Sequence, residues 1–329
     1  MTAQYQTVEF TGIVTALSSI HHGGGQSIGI NAKLRREKFV QPDGSVEEVP
    51  VISGNGIRGL LRDVGMYHMC RMLGYGEPDE EGKPRGLSLP AYDFLFSGGA
   101  LTQDASRGLD IDRARQLAQA IPLVGVFGGA LGNQIMPGKL KMDKLMPICA
   151  ETAHLLPPSC YRDMKLLSIW DYLQEEMYTR KDDKKDERRQ RLIAPDVRAL
   201  LEAQALERRQ APVQPVIQED TGQKQQMMYY VESFAAGTRF YWSIVLDQVT
   251  DLEFDAFAVT LAQFSRTPYI GAKSNVGHGK ISVHFDNWHT IDSRVATNGT
   301  EVDTPLGRRY QEHLERNGDS IRELLEGLE

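Results

Sequence analysis

The order of its regular segments is what most constrains this chain. Gln6–Ser18 reads as a strand, carrying Val8, Phe10, Ile13 and Val14. A polar glycine loop, His21–Gly29, follows, then a basic segment that turns at Pro42-Asp43-Gly44. From Ile57 to Leu73 the apolar residues Ile57, Leu60, Leu61, Val64 and Met72 recur at helical spacing, with Ser53 or Asn55 placed to cap the helix. Residues 76–225 show no clear alternation of strand and helix, although Asp110–Ala120 and Met164–Leu206 are expected to be helical. Regular patterning resumes at Met227, with two β-rich runs, Met228–Val231 and Arg239–Leu246, joined by Ala235–Thr238. A helix over Leu252–Phe264 and a strand over Lys280–Phe285 complete the series. With the interior set aside, the order is βαββαβ, split after its first helix, as in ferredoxin-like and RRM-type domains. The expected class is α+β, and RRM-type sheets commonly bind single-stranded RNA.

Several classes are excluded early. The longest nearly uncharged apolar run, Ala120–Leu131, is broken by Pro122 and several glycines and falls far short of the ~20 residues of a membrane span. Met1–Phe10 has neither a basic n-region nor an apolar h-region. Cys70, Cys149 and Cys160 are scattered and odd in number, which argues against a disulfide scaffold or zinc module and suits a reducing cytoplasm. No cofactor, metal or membrane is expected.

The formal charge of −7 counts against a polyanionic partner, but its distribution does not. No acid occurs from Phe10 to Arg36, Val49 to Arg62, Ala114 to Met142, or Ala256 to Phe285, and much of the glycine lies there. The segment after Gly299 is acid-rich instead. Glycine lets backbone N–H groups approach phosphate oxygens closely, so four such stretches suggest an anion-binding surface. The plainer account is that glycine loops make turns and the acids fall elsewhere.

Two segments are the most informative: Ile52-Ser53-Gly54-Asn55-Gly56-Ile57-Arg58-Gly59-Leu60-Leu61-Arg62, and Tyr269-Ile270-Gly271-Ala272-Lys273-Ser274-Asn275-Val276-Gly277-His278-Gly279-Lys280. Each sets small, polar and basic residues at a junction between regular elements. The first could present helix N-terminal amides to a phosphate, with Arg58 and Arg62 one turn apart. A helix cap with two surface arginines is the competing account.

These segments resemble the "GSSLKGxLR" motif and the "GGxxSxGxG" loop of the RAMP superfamily of CRISPR-associated proteins. Phe127-Gly128 followed by Gly138-Lys139-Leu140-Lys141-Met142-Asp143 resembles "FG … GxLxVxDA". Asp220-Thr221-Gly222 followed by Tyr230–Phe240 resembles "RxTG … fExxpxGtxF". The ordered set is most similar to the repeated backbone subunit, closest to the type IV form, with type I-D and type III relatives behind it. The resemblance implies an RRM-like palm in two halves, 1–75 and 226–290, with finger and thumb insertions over 76–225 and an acidic helical tail over 291–329. The thumb would lie within residues 190–226. It further implies a subunit that binds guide RNA along its phosphates and stacks head-to-tail, expected to be non-catalytic because of its departure from the slicing relatives at Asn31. Partners would be the guide, a complementary target nucleic acid, further copies of itself and other effector subunits, a DinG-type helicase among the candidates. Residues expected to touch RNA are His22, Gly23, Gly24, Lys33, Arg35, Arg36, Ser53, Asn55, Arg58, Arg62, Lys139, Lys141, Lys273, Ser274, Asn275, His278 and Lys280.

One departure bears on activity. Type III relatives cut target RNA with a metal-assisted aspartate just after the first glycine loop, where this chain has Asn31 and no acid between Phe10 and Arg36. An amide lacks the charge that draws Mg²⁺. A metal-dependent endoribonuclease of the same superfamily, slicing target or processing guide, is the alternative, with His21 and His22 as acid and base in the case of guide processing. A lipase-type reading of His22-Gly23-Gly24-Gly25 and Gly25-Gln26-Ser27-Ile28-Gly29 fails because the two motifs share Gly25 and no parallel βαβ pattern precedes them. A P-loop fails because Gly132 and Gly138 are wrongly spaced and Leu140 follows Lys139. Arg180–Arg191 carries opposite charges at i,i+3, as a solvated helix would.

Overall fold

A computed structural model describes residues 5–28, 31–78, 82–83, 85–99, 111–132, 134–180, 227–286, 290–292 and 307–328. The expected thumb, Asp220-Thr221-Gly222 and nearly all of the Arg180–Arg191 run lie outside these residues. The fold is α+β, with mostly antiparallel sheets.

The N-terminal strand is β1 (Tyr5–Ala16). Every second residue of its C-terminal half is buried: Phe10, Val14 and Ala16 all face inward. The loop after it is partly a strand, because β2 (Gly23–Ile28) pairs antiparallel with β3 (Asn31–Leu34) across a register irregularity between Gly23 and Ser27. Glycine has little strand propensity, but ladder bonds come from the backbone, and an irregular pairing tolerates it. The Pro42-Asp43-Gly44 turn joins β4 (Arg36–Val40) to β5 (Val46–Pro50).

Helix α1 runs Gly54–Met72, capped by Ser53, whose Oγ accepts the Gly56 N–H at 3.4 Å. Beyond it come α2 (Leu89–Tyr92), the expected helix as α3 (Ile111–Ala120), and α4 (Pro122–Phe127). A small hairpin, β6 (Gly129–Leu131) with β7 (Gln134–Met136), leads to β8 (Leu140–Met142) and β9 (Met146–Pro147).

The helix expected over Met164–Leu206 is not formed in its described part. Residues 164–168 are irregular, Ile169–Tyr172 is a 3₁₀ turn, and Leu173–Arg180 is strand β10. It pairs residue for residue with β11 (Met227–Phe234), from Leu173 opposite Phe234 to Arg180 opposite Met227. That eight-residue ladder with a remote partner overrides local helical propensity.

Two sheets follow. The larger has the order β14-β13-β1-β12-β8, with β9 also on β12; here β12 is Arg239–Thr250, β13 is Ile281–Phe285 and β14 is Thr290–Asp292. The smaller has the order β10-β11-β3-β2. The consecutive β-rich runs therefore do not neighbour each other. β11 joins the smaller sheet, parallel to β3 through Tyr230 opposite Asn31, and β8 takes the place beside β12.

Facing register partners Phe10–Ile244, Gly12–Trp242 and Val14–Phe240 build the buried side of the larger sheet. Against it lie α1 and α5 (Asp251–Arg266), whose first turn is closed by a reciprocal Thr250–Glu253 capping box. Phe10 meets Phe254, Phe257 and Phe285 at centroid separations of 6.3, 6.4 and 6.0 Å. The acidic tail's described part is α6 (Arg308–Glu326), whose Tyr310, Leu314, Ile321 and Leu325 lie in the same core. Arg309 pins it to α5 through Asp251 at 2.6 Å and buried Asp255 at 3.3 Å. No helix among the described residues is long and apolar enough to cross a membrane.

Candidate nucleic-acid interface

Beyond the C-terminal end of β1 the chain makes its closest loop packing. Ala272 donates its N–H to the His21 carbonyl at 2.8 Å, Gly279 to Ser19 at 2.7 Å, and Ile270 to Gly279 at 2.9 Å. Gly271 sits at φ +78°, where a Cβ would lie 2.4 Å from the His21 oxygen, so only glycine fits. On the other side, His22 Nε2 accepts the Ser53 N–H at 3.1 Å. Three of the acid-free stretches thus meet at one place.

They enclose an open cleft of about 860 Å³, lined by His21–Gly23, by Gly56, Ile57, Leu60 and Val64 of α1, and by Tyr269–Ala272, Ser274 and Asn275. Among the described residues lining it there is no carboxylate, and no Lys or Arg. Its lining is mostly apolar and includes Ser274, Asn275 and the exposed Gly56 of the first turn of α1, a turn with no acidic residue. A helix N-terminus of this kind favours an anion. His22 is held neutral, its pKa lowered by burial first and then by Arg35 and His21.

The expected contact residues divide. His22, Gly23, Ser274 and Asn275 line the cleft; Ser53 caps α1 beside it and bonds His22, Asn55 is exposed on that helix's first turn, and Lys273 and Lys280 belong to the glycine loop. Gly24 lies in β2 and Arg35 is exposed beside that strand. Arg58 and Arg62 point elsewhere: both donate to the Phe127 carbonyl, Arg62 at 2.7 Å and also to Gly128 at 3.1 Å. They fasten α1 to the end of α4, and burial lowers the Arg62 pKa. Lys33 pairs with Glu175 at 3.2 Å, and Arg36 with Glu232 at 2.5 Å.

Lys139 and Lys141 are not at the cleft. Lys139 binds Glu253 at 2.7 Å and lies over the Tyr5 ring, at the opposite end of β1; Lys141 binds Asp247 at 2.6 Å. Twelve strand residues separate the two ends, roughly 35–40 Å. Stretches free of acids in sequence meet acids in space, because strand pairing brings Glu175, Glu232 and Asp247 to them and the first turn of α5 brings Glu253.

His278 is buried at 1% exposure, its Nδ1 2.9 Å from Ser19 Oγ and its Nε2 bonded to the Tyr178 hydroxyl. It ties the glycine loop to the smaller sheet rather than facing solvent. The same contact exposes what the sequence did not single out. Tyr178 and Tyr229 stand opposite each other on β10 and β11, rings 5.5 Å apart and 16° from parallel, under the Lys273 ammonium. Among the described residues, no group of three or more His, Cys, Asp or Glu is placed to hold a metal ion.

No family model and no curated protein matches the chain. Among solved structures it is similar to a chain of a type IV-B CRISPR complex, at 21% identity and a TM-score of 0.56, over 92% of this chain and 97% of that one. At that identity the likeness is one of fold.

Proposed function

We propose that this protein is a non-catalytic backbone subunit of a CRISPR effector ribonucleoprotein that grips guide RNA by its phosphates and stacks head-to-tail with further copies. In this reading the β13-β1-β12-β8 sheet with α1 and α5 is an RRM-type palm; antiparallel order and two covering helices support it. The observation that carries the proposal is the convergence of Gly56 and Ile57 of α1, His21–Gly23, and Tyr269–Ala272 with Ser274 and Asn275 on one cleft whose described lining has no carboxylate. Fold likeness to a chain of a type IV-B CRISPR complex along nearly its whole length supports the same reading. Backbone amides suit a ligand whose base sequence varies, since they bind phosphate without reading bases. A heterologous contact between copies generates a filament, and the target strand and other effector subunits would join it there.

Titrating labelled single-stranded RNA at increasing salt tests it. Phosphate binding gives a log–log slope near −0.7 per neutralised phosphate, and a flat response would remove the nucleic-acid reading. The competing endoribonuclease would cut RNA at regular intervals with Mg²⁺. Against it, His22 Nε2 is engaged by the Ser53 N–H and is poorly placed to take a proton.

A further inference from the structure

We propose that Tyr178 and Tyr229, covered by Lys273, form a stacking shelf for one nucleobase at the rim of the glycine cleft. The proposal rests on the RNA-binding function above and names where a base, rather than a phosphate, is held.

The two rings come from directly opposed positions on adjacent strands, so they share one face of the smaller sheet. They are stacked, nearly parallel and offset, a pair that is half-buried rather than sealed in the core, with the Tyr229 ring nearer to Lys273. The Tyr178 ring is fixed from its far end: its hydroxyl donates to Glu176 Oε2 at 2.9 Å and also bonds His278. Burial and that carboxylate push its pKa up to about 12, so the phenol stays neutral and presents no charge to repel a phosphate.

Lys273 supplies the second half. It sits at φ +64°, a left-handed conformation that a non-glycine residue adopts at a cost and that clusters at functional positions. There its ammonium stands 4.7 Å from the Tyr229 centroid and 5.6 Å from that of Tyr178. Cation–π contacts at such sites are weak. The flexible lysine therefore yields the ring face to an incoming base and pairs with that nucleotide's phosphate. Phenol rings stack on any base, so the shelf adds hold without adding sequence preference.

Binding of a mixed-sequence single-stranded RNA is compared with that of an abasic ribose–phosphate oligomer of equal length. Tyr229→Ala weakens the base-bearing RNA by roughly 5- to 150-fold and leaves the abasic oligomer and the salt slope unchanged. Tyr229→Phe restores wild-type affinity, and Tyr229→Leu, which keeps apolar bulk on the strand, does not. In the unmodified protein, photocrosslinking to 4-thiouridine RNA marks the peptides that hold Tyr178 and Tyr229. Equal loss on both oligomers with unchanged melting temperature, or no loss on either, overturns the shelf. Failure of the unmodified protein to bind either oligomer overturns the RNA function itself, and the shelf with it.

Discussion

His22 accepts the Ser53 N–H through Nε2 at 3.1 Å, so the imidazole serves the cap of α1 only while that nitrogen is unprotonated. Protonating Nε2 breaks the link between the first glycine segment and the helix it abuts.

Stability should therefore depend on pH just below neutrality. The folded pKa of His22 lies below its ordinary 6.5, so the unfolded chain binds more protons in the interval beneath 6.5. The stabilisation is complete above about 6.5 and is lost as pH falls through the lower, folded value. His68 is depressed the same way, by burial and Arg266. Thermal melts should show a falling midpoint between about pH 7.5 and 5.5. In His22→Gln, whose amide oxygen also accepts an N–H, the decline should be shallower. An unchanged slope in that variant would count against the assigned bond.

Gly271 and Gly59 should respond oppositely to alanine. Gly271→Ala forces a left-handed alanine against the His21 carbonyl and should cost at least about 2 kcal/mol. Gly59 lies within α1 with nothing near its missing Cβ, and alanine there should stabilise by about 0.5–1 kcal/mol. Urea titrations of both variants decide it.

Equal effects of Lys273→Ala and Arg58→Ala on RNA binding would be the natural expectation from sequence, and the structure separates them. Arg58 bonds the Phe127 carbonyl, so its loss should lower the melting temperature first. Lys273→Ala should leave melting nearly unchanged, weaken RNA of any sequence, and reduce the salt slope by about 0.7. Anisotropy titrations at several salt concentrations, paired with melts, distinguish the two.

Lys139 and Lys141 should not contribute to the cleft. Lys141→Ala, which removes an exposed pair with Asp247, should change neither RNA affinity nor stability measurably. Lys139→Ala leaves the mostly buried Glu253 without its cation and should cost about 1–3 kcal/mol with RNA affinity per folded molecule unchanged. A marked affinity loss in Lys141→Ala would put an RNA contact at the far end of β1.

Local signals were legible in the sequence where local physics decides. The Ser53 cap, the α1 periodicity, the Ile111–Ala120 helix and the Asp43-Gly44 turn all rest on neighbours within a few residues. The shared chemistry of the acid-free stretches suggested a common anion-binding surface, but nothing local showed that His21 and His22 link the two glycine segments. What escaped depends on remote pairing. β8 has only three residues, Leu140–Met142, too few to show alternation. β11 is directed to β3 by Asn31 and Ala32, far earlier in the chain. Tyr178 becomes informative only once β10 sets it across from Tyr229, in a segment whose composition suggested a helix.

The position of β1 at the middle of the larger sheet sets a timetable for biosynthesis. Thr15 is register partner to Arg239 on one side and to Ser282 on the other. At roughly 5–20 residues per second, Arg239 leaves the ribosome some ten to forty-five seconds after Thr15. Throughout that interval the nascent chain carries Phe10 and Val14 on a ribbon with both edges bare, the kind of template on which other chains aggregate. Soluble yield should accordingly follow the supply of co-translational chaperone more than the stability of the finished protein.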